Sequence, residues 1–247
     1  MKLYEALGVV PGDVVAFVGA GGKSSAIIQV AGELREAGVK VLAVPTTKMF
    51  VAEAEKIGPI LTGEDEEALR TGIETALNEE GAAVAGAGML SKGRVGGVAA
   101  AAVPPLAPED GVTLVEADGS RRRPLKGTAE HEPPLPSGVT LVVAVGGIDA
   151  LGRTVDEEHV HRPEVFAEIT GTGLGHTITP QAFARALLAG LRNAPEGARR
   201  AALLAGVAPG RDMASASTIA RELWRGGVRN VVSSSLPRES PGMVWAL

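Results

Sequence analysis

Cysteine is absent from this 247-residue chain, which excludes disulfides, thiolate metal sites and catalytic thiols together. Aromatic residues are scarce as well, at 3% against 45% apolar overall, so the core must be Ala, Val, Leu and Gly packed closely. That composition suits helices lying on a parallel sheet. An excess of positive charge is missing too: the formal net charge is −5 and the pI about 5.5. This balance argues against a nucleic-acid partner, whose binding would rest on a basic surface, yet it leaves room for a small anion in a local basic pocket. No apolar run reaches the ~18 residues of a membrane span, and Met1-Lys2-Leu3-Tyr4-Glu5 lacks the pattern of a signal peptide. The expectation is a soluble, cytoplasmic protein with no membrane partner. Neither an internal repeat nor a linker interrupts the chain, so a single domain over residues 1–247 is expected.

What is present is an alternation of strand and helix signals. Val14 to Val18 is a β-rich apolar run, Lys23 to Ala37 has helical apolar spacing that ends at Gly38, and Val39 to Val44 reads as a second strand. A strand, a glycine turn, a helix and a strand within about 30 residues make a right-handed βαβ unit and therefore a parallel sheet. Further strands are expected at Ala82 to Ala85, Val112 to Val115, Val139 to Val145, Ala201 to Ala205 and Val228 to Ser233. Helices are expected at Glu64 to Asn78, Pro180 to Leu191 and Ala214 to Arg225. The fold class is thus α/β, three-layered, with a mostly parallel sheet. A polar, proline-bearing loop insertion at about 116–137 is long enough to read as functional.

The turn Gly19-Ala20-Gly21-Gly22-Lys23-Ser24-Ser25 leaves a strand and enters a helix, where an α/β sheet places its ligand. Backbone amides at a helix N-terminus favour an anion, glycines let it approach, and Lys23 adds full charge. The Ser24 hydroxyl would then ligate Mg²⁺. The full pattern G-x-x-x-x-G-K-[ST] is not met, since Phe17 stands where its first glycine would fall. The remainder resembles the shorter G-x-x-G-K-T loop of Mur-type ligases, a P-loop NTPase-like phosphate loop. A dinucleotide-binding G-x-G-x-x-G is the weaker reading, because Ser24 occupies its third glycine.

Glu116-Ala117-Asp118-Gly119 follows an apolar strand, and residues two apart on a strand point to one face. Either carboxylate would suit Mg²⁺ coordination or the orientation of an attacking group. Thr46 and Thr47 end the second strand and either hold a water or phosphate there or cap the next helix. Arg121-Arg122-Arg123 and Lys126 are a solvated loop or, beside a metal site, hold a second substrate. His131, His159 and His161 supply an acid or base, gather a transition metal, or lie on the surface.

The glycine turn, Thr46-Thr47-Lys48-Met49, Glu116-Ala117-Asp118-Gly119-Ser120-Arg121, Pro124-Leu125-Lys126, Ala129-Glu130-His131-Glu132-Pro133 and His161-Arg162-Pro163-Glu164 together resemble the YqeC family in order and spacing. The resemblance implies a bacterial accessory protein acting with selenium-dependent molybdenum hydroxylases. Members of the family look as if they carry an Asn-x-x-Asp element after a late strand, as GTPases do, where this chain has Leu204-Ala205-Gly206-Val207-Ala208. ATP is therefore expected in preference to GTP. Without cysteine, the chain cannot carry selenium on its own sulfur.

The expected function is a Mg²⁺-dependent NTPase or phosphoryl or nucleotidyl transferase in maturation of a molybdenum hydroxylase. Lys23 and the loop amides would hold the phosphates, and Ser24 with Glu116 or Asp118 the metal. The other carboxylate or Thr47 would orient the attacking group, and Arg122, Lys126 and His131 would meet a second substrate such as molybdopterin. The alternative is a nucleotide-gated chaperone or carrier for the molybdenum cofactor that performs no chemistry on it.

Overall fold

The computed structural model describes residues 1–235 and 241–246. The first half of the chain forms α1 (Leu3–Leu7), β1 (Val14–Gly19), α2 (Lys23–Glu36), β2 (Lys40–Pro45), β3 (Met49–Phe50), α3 (Val51–Ala54), β4 (Ile60–Thr62), α4 (Glu66–Glu80), β5 (Ala82–Gly86), β6 (Met89–Leu90), β7 (Arg94–Val95) and β8 (Gly111–Glu116). The second half forms β9 (Leu125–Lys126), β10 (Leu141–Gly147), β11 (Val160–His161), α5 (Pro163–Thr170), α6 (Pro180–Gly190), β12 (Arg199–Ala205), α7 (Met213–Arg225), β13 (Asn230–Ser234) and β14 (Pro241–Ala246).

Nine strands make the central sheet in the order β14-β13-β12-β10-β1-β8-β2-β5-β4. Every pairing is parallel except that of β13 with β14. The sheet is apolar on both faces because its strands are buried on both. Val15 and Phe17 of β1 join Ile27, Val30 and Leu34 of α2 on one side, while Ala16 and Val18 join Phe183 and Leu187 of α6 on the other. The 27, 30, 34 spacing gives α2 one continuous apolar stripe. Burying a side chain such as Phe17 or Ile27 stabilises the fold by about 1.5–3 kcal/mol. The α/β class with a mostly parallel sheet flanked by helices is therefore as expected. No helix among the described residues is long and apolar enough to cross a membrane.

The order of the strands positions the site. From β1 the chain moves past the place of β8 to β2, goes on to β4 at the edge, comes back through β5 to β8, and then crosses to β10 on the opposite side of β1. The direction of winding thus reverses at β1, and the crevice outside the carboxyl ends of β8, β1 and β10 is where such sheets bind ligands.

Three local features differ from the sequence expectation. β10 begins at Leu141 and continues to Gly147, because two glycines allow close approach: a Cβ on Gly146 would lie 2.6 Å from the Phe183 ring. The glycine-rich stretch after β5 turns back as β6 and β7, which with β3 make a separate three-stranded sheet. Between Glu116 and Leu141 the chain contributes only the two-residue β9, which pairs with β11 and ties the loop to the start of α5.

Candidate functional site

β1 ends in a turn that side chains would obstruct. Gly19, Gly21 and Gly22 have φ of 93°, 71° and 129°, and a Cβ on Gly21 would lie 2.5 Å from the Gly147 amide nitrogen. These values fall where L side chains are disfavoured, so glycine here is a geometric requirement. α2 then starts at Lys23, its first recorded helical bond running from the Ala26 amide to the Gly22 carbonyl at 2.9 Å. Amides ahead of that bond have no intrahelical acceptor and face the end of the helix.

Lys23 is buried, and its ammonium folds back onto the Gly19 carbonyl. It also lies 2.9 Å from Asp118 Oδ1. Asp118 Oδ2 accepts from the Gly19 amide at 3.0 Å and from Lys126 Nζ at 2.9 Å. One buried carboxylate therefore joins the glycine turn to two lysines. Burial alone would push the Asp118 carboxyl up, but Lys23 and Lys126 outweigh it and hold the group below the usual aspartate range.

Glu116, two residues earlier, faces the other side of the same turn. Its oxygens lie 3.3 and 3.4 Å from Ser24 Oγ. Only part of its surface reaches solvent, and removal from water pushes its carboxyl up to about 7. Lys23 opposes that rise, whereas Glu53 and Asp118 add to it. The Thr46 hydroxyl donates to the Glu116 carbonyl at 3.1 Å and fixes the end of β2 against β8.

The loop after β8 closes over this floor. Lys126 is buried on β9 and lies 3.7 Å from Glu132, which accepts from the Arg162 guanidinium. Desolvation would raise Glu132, but Arg162 and Lys126 hold it below the usual glutamate range. His161 is partly buried beside these cations, and burial, with Lys126, Arg162 and Arg121, lowers its pKa so that the neutral ring is favoured. At the other end of the cleft, the guanidinium carbons of Arg94 and Arg122 lie 4.7 and 4.3 Å from the centre of the Phe50 ring.

These groups line one cleft of about 1320 Å³. It brings together Gly21, Gly22, Lys23, Ser24, Ser25, Thr47, Glu116, Asp118, Arg122 and Lys126 of the residues expected from sequence. Gly19 and Ala20 form the base of the turn, and the Ala20 amide is tied to the Val145 carbonyl at 3.0 Å. His131 is not among the lining residues and lies exposed, whereas its neighbour Glu132 points in. His159 pairs with Asp156 at 2.8 Å instead of joining His161 and His131. Among the described residues no group of three or more His, Asp or Glu side chains is arranged to hold a metal ion. Phe50, Glu53 and Arg94 carried no signal, because the strands and short helix that present them are too brief to show a period.

Comparison with known proteins agrees with the motif order. A family model described as YqeC protein matches residues 15–164, a span that holds the glycine turn, both carboxylates and Arg162. The chain is also 35% identical over 192 residues to a protein of Escherichia coli (strain K12) named uncharacterized protein YqeC, covering 76% of this chain and 73% of that one. The chain belongs to the YqeC family.

Proposed function

We propose that this chain binds Mg²⁺ and a nucleoside triphosphate, ATP in preference to GTP, on the glycine turn, and acts as an NTPase or phosphoryl or nucleotidyl transferase. The observation that carries this reading is the buried set Gly19, Lys23, Asp118 and Lys126 at the carboxyl end of the sheet. It fixes a lysine and a row of helix-start amides around one point of the turn. The Lys23 ammonium donates to the Gly19 carbonyl and is paired by charge with Asp118 Oδ1, so it keeps donor capacity for a phosphate oxygen.

The donor set also apportions the metal. Both Asp118 oxygens are engaged by lysines and the Gly19 amide, so this residue acts by holding the two lysines. Ser24 and Glu116, a hydroxyl and a carboxylate at 3.3 Å, are the hard oxygen ligands that suit Mg²⁺. Once bound, the ion supplies positive charge to the phosphate oxygens. Thr47 and Lys126 face the same cleft and orient the reacting group and the second substrate. The family resemblance supports maturation of a molybdenum hydroxylase, with molybdopterin or the enzyme itself as partner. A carrier that performs no chemistry is the weaker reading, since His161 and Arg162 line the cleft beside the turn instead of an outer face.

Calorimetric titration with Mg·ATP tests the site. Lys23→Ala abolishes binding, and Ser24→Ala, which removes a half-exposed hydroxyl without touching the buried ion pairs, weakens it about tenfold, as loss of a contact to a charged group does. Unchanged affinity in both variants overturns the assignment. Nucleotide hydrolysis, measured with and without molybdopterin, separates the enzyme from the carrier.

A further inference from the structure

The cations lining the cleft fall into two sets. Lys23 and Lys126 are engaged by Asp118, and Arg162 by Glu132. Lys48, Arg94, Arg121, Arg122 and Arg123 line the same cleft, and among the described residues none of them has a carboxylate within ion-pair distance. Five unpaired cations gathered in a protein of net charge −5 concentrate positive potential in the cleft.

Three further observations point to an anion beside Phe50. Arg94 Nε is buried and has no hydrogen-bond acceptor, a donor removed from water with nothing in return. Its guanidinium and that of Arg122 are both set against Phe50, so one ring holds two forks in place. Arg121 and Arg122 also adopt φ of 49° and 61°, the left-handed region that favours glycine. Glycine would relieve the backbone there, and arginine supplies what glycine lacks: a planar fork that matches phosphate oxygens.

We propose that Arg94 and Arg122, with Phe50 as their shelf and Lys48, Arg121 and Arg123 lining the same cleft, form a second subsite for the phosphate group of a phosphomonoester co-substrate. The subsite is separate from the glycine turn in origin, arising from β3, β7 and the loop after β8. It is also adjacent to the turn, because Pro124, directly after Arg123, accepts from the Gly147 amide at 2.9 Å, and that amide borders Gly21. A cleft of about 1320 Å³ exceeds the roughly 300–1,000 Å³ of a single-ligand pocket and admits two ligands side by side. The inference rests on the proposed nucleotide site only for the identity of the neighbour.

The test uses phenyl phosphate as probe and phenol as its uncharged counterpart, titrated into the protein saturated with Mg²⁺ and a non-hydrolysable ATP analogue. Phenyl phosphate binds saturably and phenol does not. Arg122→Gln, at an exposed position that does not threaten the fold, and Arg94→Gln each weaken phenyl phosphate about tenfold. Arg221→Gln, on the exposed side of α7, removes the same charge outside the cleft and changes affinity less than about twofold. Competitive displacement of phenyl phosphate by the analogue overturns the proposal, since the arginines would then serve the nucleotide's own phosphates. So does equal affinity in all three variants. If the analogue does not bind while phenyl phosphate does, with loss in Arg122→Gln, the second subsite stands and the nucleotide reading falls.

Discussion

Lys23 Nζ and Asp118 Oδ1 lie 2.9 Å apart with side chains only 3% and 5% exposed, and the same carboxylate holds Lys126 on its other oxygen. The three charges are unequal partners: Asp118 is the one carboxylate paired with Lys23, whereas Lys126 also has Glu132 at 3.7 Å. Asp118→Ala leaves buried Lys23 without a carboxylate and Lys126 with only the longer contact to Glu132, and is expected to lower stability by about 3–5 kcal/mol. Lys126→Ala leaves Asp118 paired with Lys23 and is expected to have a smaller effect. Urea denaturation of the two variants checks the order, and a larger loss in Lys126→Ala contradicts it.

The two carboxylates of this strand end respond to pH in opposite senses. Asp118 is held below its ordinary value, so its contribution is present above the usual aspartate range and is lost as pH falls through the lowered value. Glu116 is raised from 4.5 to about 7, so between those values the folded chain keeps a proton that the unfolded chain has released. Stability therefore declines as pH rises from 4.5 to 7 and levels off above. Glu116→Gln removes that decline, and its thermal midpoint gains on the parent between pH 5 and pH 8. Parallel curves for the two proteins contradict the shift. The proposed Mg²⁺ site requires the ionised carboxylate, so Mg²⁺ affinity of the parent is expected to climb across the same range.

The turn from β1 into α2 was legible because everything that makes it is local: an apolar run, glycines, then helical spacing from Ile27 to Leu34. Glu116 and Asp118 were legible for the same reason, as the residues ending a buried strand. Their division of labour was not, since Asp118 is claimed by Lys126, which a loop without periodicity brings back across it. The choice between His131 and Glu132 depended on which of two adjacent residues turns inward, and that is settled by Arg162 arriving through the two-residue pairing of β9 with β11. Phe50 and Arg94 meet through pairs of strands two residues long, below the length at which alternation can be seen.

Glycine at position 21 carries two separable requirements. Its φ of 71° disfavours any side chain, and a Cβ would strike the Gly147 amide at 2.5 Å and the Pro124 carbonyl. Gly12 shares the first requirement, with φ of 88°, but nothing lies within 4 Å of its Cβ position. Gly12→Ala is expected to cost about 1–2 kcal/mol, the left-handed penalty alone. Gly21→Ala should exceed it and also widen the cleft, since the displaced atoms are backbone. Equal losses in urea denaturation would show that the turn yields without strain.

A last comparison separates the stability of the sheet from the chemistry of the cleft. Asp13 is 5% exposed at the amino end of β1, where its carboxylate accepts from the Val10 amide at 2.8 Å, from the Thr140 hydroxyl at 2.7 Å and from the Arg199 guanidinium. Arg199 is 45% exposed, so the charge pairing there is screened and contributes little. The weight rests on the Val10 and Thr140 donors; truncation would take the acceptor from the Val10 amide and leave the Thr140 hydroxyl only the Val14 carbonyl at 3.4 Å. Asp13→Ala is expected to cost about 2–4 kcal/mol, and Asp13→Asn, which keeps one acceptor oxygen, about half as much. The residue stands at the opposite end of the strands from Gly19, so ligand titrations below the melting range should match those of the parent protein. A shift in ligand affinity of tenfold or more in Asp13→Asn would mean that the two ends of the sheet are coupled, and that the cleft cannot be read as a rigid product of the turn alone.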